Sequence, residues 1–203
     1  MSIALAQPSL LLNSYAFTDD VFGGCGMFMD TTWNCPKTTR CQDIVTYILW
    51  AYNKTKRLHH VVFNFHGPGE DAKPGEHDKV QLGEATPESG FGTNHYTPPS
   101  YFYLDLSNVS LFSALKGKNI GTIWFHSCAL AMHMKGKYLC QRMAEVSGCS
   151  VVAAEEDQSE WLGFVNLIFM PRGSIDDYEG PVNVWSGKDG IGRRFSPNGR
   201  YWT

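Results

Sequence analysis

The alternation of apolar and polar positions divides the chain into short buried strands and amphipathic helices. Around TTRCQDIVTYILWAYNKTK, Ile44, Val45, Ile48, Leu49 and Tyr52 recur on one helical face, and Thr39 with Gln42 reads as a capping box. HHVVFNF (His59 to Phe65) is short, apolar and β-branched, which predicts a buried strand. The pattern then stops: residues 66–100 are dense in Gly and Pro, and a loop that long in a compact domain is either functional or a surface insertion. YFYLDL (Tyr101 to Leu106) predicts a strand, and Ser107 caps a helix over NVSLFSALK that stops at Gly117. NIGTIWF is the next strand and runs into His126-Ser127-Cys128 and small residues. KYLCQRMAEVS predicts a helix with Leu139, Met143 and Val146 on one face and Gly148 at its end. SVVAA (Ser150 to Ala154) and Trp161 to Met170 predict strands, and turn signals at Lys188-Asp189-Gly190 and Pro197-Asn198-Gly199 predict a closing hairpin in 171–203. Strands alternating with helices imply an α/β domain with a mostly parallel central sheet and helices on both faces. We read 1–203 as a single domain.

Composition narrows the function. With 43% apolar and 18% charged residues, the chain is globular in type. A net charge of -3, a pI near 6.1 and scattered Lys and Arg argue against a nucleic-acid partner. No apolar run reaches bilayer length, so no membrane association is expected. The N-terminus lacks a basic leader and is broken at Gln7-Pro8, which gives a cytoplasmic expectation, with delivery into another cell as an effector a further setting. The cysteines at 25, 35, 41, 128, 140 and 149 then read as thiols. Without a CxxC, a shared metal at Cys25, Cys35 and Cys41 is weaker than the reading of buried small hydrophobes.

Parallel sheets carry their chemistry at the carboxyl ends of the strands. His66-Gly67 follows one predicted strand and Ser127-Cys128 another, so both belong at one edge. A thiol becomes a nucleophile when a nearby base takes its proton. A backbone N–H at Cys128 and another at Gly67, where no Cβ blocks a substrate carbonyl, supply an oxyanion hole. The alternative is that Cys128 is a buried thiol. His126, two residues before Cys128, competes with His66 as the base; a core or edge role for it is the more frequent outcome, and we favour His66. His133 follows the turn, His59-His60 reads as surface, and His77 and His95 lie in the long loop, where they cover the site, bind a metal or are solvated. GxGxxG, GxxxxGK[ST] and GxSxG are all absent.

The order strand–His-Gly, helix, strand–x-Cys–small residues resembles the caspase-like cysteine peptidases of clan CD. The matching pieces are VVFNFHG (61–67) and TIWFHSCALA (122–131), with His66 62 residues before Cys128. GKYLCQRMAEVSGCSVVAAEEDQ and IDDYEGPVNVWSGKDG are similar to segments of bacterial self-processing domains of this clan, so the resemblance spans about 60 to 185. It implies a three-layer caspase-like sandwich, His66 as general base and acid, Cys128 as nucleophile, and N–H groups of Gly67 and Cys128 as the oxyanion hole. It implies a protein or peptide substrate bound along a sheet edge, and chemistry without a metal or cofactor. The caspase pentapeptide and acid-pocket arginines are missing, so a preference for aspartate is not implied. The clan builds its pocket partly from the strand after the nucleophile's helix, which brings in Glu155, Glu156 and Asp157. They favour a basic residue before the cut, or else form a solvated loop. Two other readings stay open: a different Cys-dependent hydrolase or amidotransferase, and a non-catalytic caspase-like binding module.

Overall fold

A computed structural model describes residues 2–15, 27–83, 102–158 and 171–195. The expected strand at Trp161–Met170, His95, Cys25 and the 197–199 turn lie outside these residues. In chain order the elements are β1 (Ser2–Ala4), β2 (Ser9–Asn13), β3 (Thr31–Asn34), α1 (Cys41–Thr55), β4 (Leu58–Asn64) and β5 (Val80–Gln81). Then follow β6 (Tyr103–Leu104), a 3-10 helix (Val109–Leu115), β7 (Ile120–His126), α2 (Met134–Ser147), β8 (Ser150–Ala154), β9 (Ser174–Asp176), β10 (Val182–Trp185) and β11 (Gly192–Phe195). The central sheet has seven strands in the order β11-β10-β8-β7-β4-β2-β3. β3, β2, β4, β7 and β8 run parallel, and β10 and β11 add antiparallel. The chain is therefore α/β with a mostly parallel sheet.

The burial of central strands on both faces explains why they read as continuous apolar runs. On one face, Leu10, Leu12, Val61, Phe63, Ile123, Phe125, Val151 and Ala153 pack with Ile44, Val45 and Ile48 of α1 and with Phe112, Leu139, Cys140 and Met143. Phe63 and Phe125, neighbours in register, have ring centroids 5.0 Å apart. On the other face, Leu11, Val62, Trp124, Val152 and Val182 meet Ile3, Leu5, Met27, Met29, Ile175 and Tyr178. Each of the fully buried Val, Leu, Ile, Phe and Met side chains among these contributes about 1.5–3 kcal/mol.

Helices were expected on both faces. Among the described residues, α1, the 3-10 helix and α2 share one core cluster, and the opposite face is covered by the β1–β9 ribbon and by Met27 and Met29. The traverse explains this. From β3 to β4, β4 to β7 and β7 to β8 the chain steps the same way across the sheet, and crossovers of one hand then fall on one face. The connection from β2 to β3 steps the opposite way and leads to the other face.

Several boundaries move. The box that opens α1 is one residue on: Arg40 N–H donates to Asp43 Oδ2 at 2.8 Å, while Thr39 Oγ1 donates to Pro36 O. Val109–Leu115 is a 3-10 helix rather than an α-helix, and Ser107 does not cap it, since its N–H and hydroxyl both donate to Asp105 Oδ1. α2 begins at Met134, earlier than its apolar periodicity indicates, and ends at Gly148 with φ +73°. The Lys188-Asp189-Gly190 turn joins β10 to β11 as a hairpin.

Candidate functional site

The site is built where β4 and β7 end side by side. Their parallel register pairs Phe63 with Phe125 and Asn64 with His126, so two residues further on the same ends carry His66 and Cys128. The His66 backbone is held in place because its carbonyl accepts from Gln81 N–H at 3.0 Å, extending the β5–β6 pair beside it. Next to it, Gly67 lies against the Cys128 peptide. A Cβ on Gly67 would stand 3.0 Å from Cys128 C, 2.8 Å from Cys128 N and closer still to Cys128 O. Only a residue without a side chain lets these two turns meet. Among the described residues, Gly67 makes no hydrogen bond.

The turn after β7 is tight. Ala129 has φ +44°, a left-handed conformation that costs an L-residue about 1–2 kcal/mol. It is kept there by bonds to the end of β8 and the residues after it: Ala131 N–H donates to Ala154 O at 2.7 Å and Ala129 N–H to Glu156 O at 2.9 Å. Ala129, Leu130 and Ala131 are fully buried, which the small residues permit. α2 starts six positions after Cys128, so the thiol stands on a strand-end turn and not on a helix N-terminus. Gly136 in the first turn of α2 approaches both the Leu130 carbonyl and the His77 carbonyl, the latter 2.8 Å from where a Cβ would be.

Cys128 differs from the other described cysteines. Cys35, Cys41, Cys140 and Cys149 are buried, and burial pushes the first two up to about 12 and Cys149 up to about 11, with Cys140 raised further. These thiols are held protonated and inert. Cys128 is half-buried, and its Sγ lies 3.6 Å from the Gln158 carbonyl oxygen.

The other histidines are accounted for differently. The ring of His126 sits near Tyr178, with centroids 5.7 Å apart, and its Nε2 is enclosed with no hydrogen-bond partner among the described residues. Burial lowers its pKa, against the opposing pull of Asp176 and Glu179, which makes it a poor proton acceptor. His77 and His133 stack on each other at 3.7 Å, and His77 Nε2 is 2.9 Å from Ala72 O. They dock the loop after His66 onto the start of α2. His60 is not a surface residue: its Nδ1 accepts from Trp124 Nε1 at 3.0 Å, and burial lowers it to about 4.

The acidic trio divides. Glu155 is occupied: Arg194 grips it with two nitrogens, Lys137 Nζ is at 3.1 Å and Asn183 Nδ2 at 2.8 Å. Burial raises its pKa, but these donors outweigh burial and hold it at about 2. Its carboxylate is thus committed to joining α2, β8, β10 and β11. The Glu156 side chain packs over Gly180. Asp157 Oδ1 accepts from Glu70 N–H at 3.1 Å, which links the strap after β8 to the loop after Gly67.

Sequence reasoning missed Gln158, Glu179 and Tyr178. Gln158 Nε2 donates to Glu179 O at 3.2 Å, Glu179 N–H donates back to Gln158 Oε1 at 3.1 Å, and buried Tyr178 OH donates to Phe125 O at 3.1 Å. It also missed an amide row across the strand ends, running from buried Asn64 and Asn13 to exposed Asn34, where Asn64 Nδ2 donates to Asn13 Oδ1 and Asn13 Nδ2 to Asn34 Oδ1, both at 3.2 Å. The signal was present: SLLLN and VVFN both close an apolar run with Asn.

No protein-family model matches the chain, no curated protein matches it, and no solved structure matches it. Among the described residues, no helix is long and apolar enough to cross a membrane.

Proposed function

We propose that the chain is a caspase-like cysteine endopeptidase of three-layer architecture, with His66 and Cys128 as its dyad. The observation that carries this reading is the close packing of Gly67 on the Cys128 peptide at two adjacent parallel strand ends. It brings the two turns together at Cys128, the one half-buried thiol among the described cysteines. His66 takes the Cys128 proton, and the thiolate attacks the substrate carbonyl carbon. The oxyanion forms against the N–H groups of Gly67 and Cys128. His66 then protonates the departing amine, and water hydrolyses the acyl-enzyme on Cys128. The depressed pKa of His126 supports His66 as the base.

A basic residue before the cut remains our reading of the specificity. Glu155 is neutralised by its ion pairs, which leaves Glu156 and Asp157 of the strap, together with Glu70 and Glu179 hydrogen-bonded to it, as acidic groups near the thiol's turn. A peptide-library cleavage profile with Cys128→Ala as control tests the whole reading. Cleavage after Lys or Arg, absent in the variant, supports it. No cleavage by the wild type would favour the binding-module alternative.

A further inference from the structure

Residues 155–158, the strap that follows β8, are fastened to both turns of the site. Ala129 N–H, next to the nucleophile, donates to Glu156 O at 2.9 Å. Glu70 and Asp157 exchange bonds, Glu70 N–H to Asp157 Oδ1 at 3.1 Å and Asp157 N–H to Glu70 Oε1 at 3.4 Å. At its far end the Gln158 side-chain amide is gripped on both sides by the Glu179 backbone, and its Nε2 also donates to Glu156 O at 2.9 Å. These bonds hold the Gln158 carbonyl oxygen 3.6 Å from Cys128 Sγ.

A carbonyl oxygen accepts a hydrogen bond from S–H but presents a negative dipole end to a thiolate. From this contact we infer that the strap is a built-in brake: the Gln158 carbonyl keeps Cys128 in its protonated form until the strap is drawn aside. The inference rests on Cys128 being the nucleophile proposed above. The strap joins the nucleophile's turn through a main-chain bond, the kind an extended substrate makes, so an incoming chain competes with it for the same position. The Gln158–Glu179 clasp sets how readily it yields. Withdrawal involves no bond breaking beyond hydrogen bonds, and the Cys128 proton then passes to the base.

The test is the pH–rate profile of Cys128 alkylation by iodoacetamide, read residue by residue by mass spectrometry on the full chain. The buried Cys35, Cys41, Cys140 and Cys149 serve as slow internal references. Gln158→Ala removes the clasp, and Asp157→Ala loosens the strap from the Glu70 side. We expect Gln158→Ala to label Cys128 at least about threefold faster at pH 7 and to move the profile midpoint down by about half a unit or more. Asp157→Ala moves both in the same direction by less. Profiles for both variants that coincide with wild type overturn the brake. A faster rate with an unmoved midpoint overturns the carbonyl as the group that holds the proton. A thermal melt matched to wild type confirms that the fold is kept. The same assay on His66→Ala separates the two proposals: slower labelling there with no Gln158→Ala effect retains the dyad and removes the brake, and the converse removes the dyad alone.

Discussion

Gly67→Ala is the substitution whose effect follows most directly from the coordinates. The new methyl would stand 2.8 Å from Cys128 N, 3.0 Å from Cys128 C and nearer still to Cys128 O. All three are backbone atoms, so no side chain swings away to relieve the clash. The two turns must part by about 1 Å to restore ordinary contact distances. Overpacking of this kind costs about 2 kcal/mol, which for a chain of this size lowers Tm by about 4–8 °C. The same displacement carries the Gly67 N–H away from the proposed oxyanion position, and on that proposal an error of about 1 Å lowers kcat/KM by about 100-fold. Gly75→Ala is the matched control, because nothing lies within 4 Å of a Cβ built there. Differential scanning calorimetry reads the first quantity, and cleavage of the best library peptide reads the second. A Gly67→Ala protein with the melting temperature and kcat/KM of Gly75→Ala would refute the contact between the turns and the oxyanion hole built on it.

Ala129 tests the strained turn: Ala129→Gly keeps stability within about 1 kcal/mol, whereas Ala129→Val, a β-branched residue at φ +44° in a fully buried position, costs about 3 kcal/mol or more in a urea melt. Asn64→Ala removes the Asn64 Nδ2 bond to Asn13 Oδ1 inside the sheet and costs about 1–3 kcal/mol by the same measurement. Glu155→Gln weakens the joint with Arg194 and Lys137 by about 1 kcal/mol at pH 7, discounted because Arg194 is largely exposed. The folded-state pKa of Glu155 is lowered from 4.5 to about 2, so its contribution is present in full above 4.5. The Tm difference between wild type and Glu155→Gln therefore narrows as the pH falls from 4.5 toward 2, and a gap that widens on acidification would contradict the assignment.

The sequence made the central strands readable because β4, β7 and β8 are buried on both faces and are written as β-branched and aromatic runs. α1 and α2 were readable from their apolar periodicity and, for α2, from its Gly148 stop. β2 was not predicted, although SLLLN is fully buried: five residues after a proline carry no periodicity, and only pairing with β4 makes them a strand. The 3-10 helix escaped because Asp105 draws the Ser107 hydroxyl, a competition among neighbouring side chains that no period reveals. At the site, strand ends and parallel pairing were enough to bring His66, Gly67 and Cys128 to one edge. The roles of the acidic trio were not legible, because Glu155 is claimed by Arg194, 39 residues away, across a hairpin. Gln158 and Glu179 were invisible for the same reason: their clasp joins segments 21 residues apart.

The most direct test of the dyad is the rate at which Cys128 is alkylated at pH 7 in wild type and in His66→Ala, with His126→Ala alongside. The account predicts that Cys128 labels faster than Cys35, Cys41, Cys140 and Cys149, that His66→Ala slows it by about tenfold or more, and that His126→Ala leaves it within about twofold. Equal, slow labelling of these cysteines, or a loss of Cys128 reactivity that follows His126 instead of His66, would contradict it.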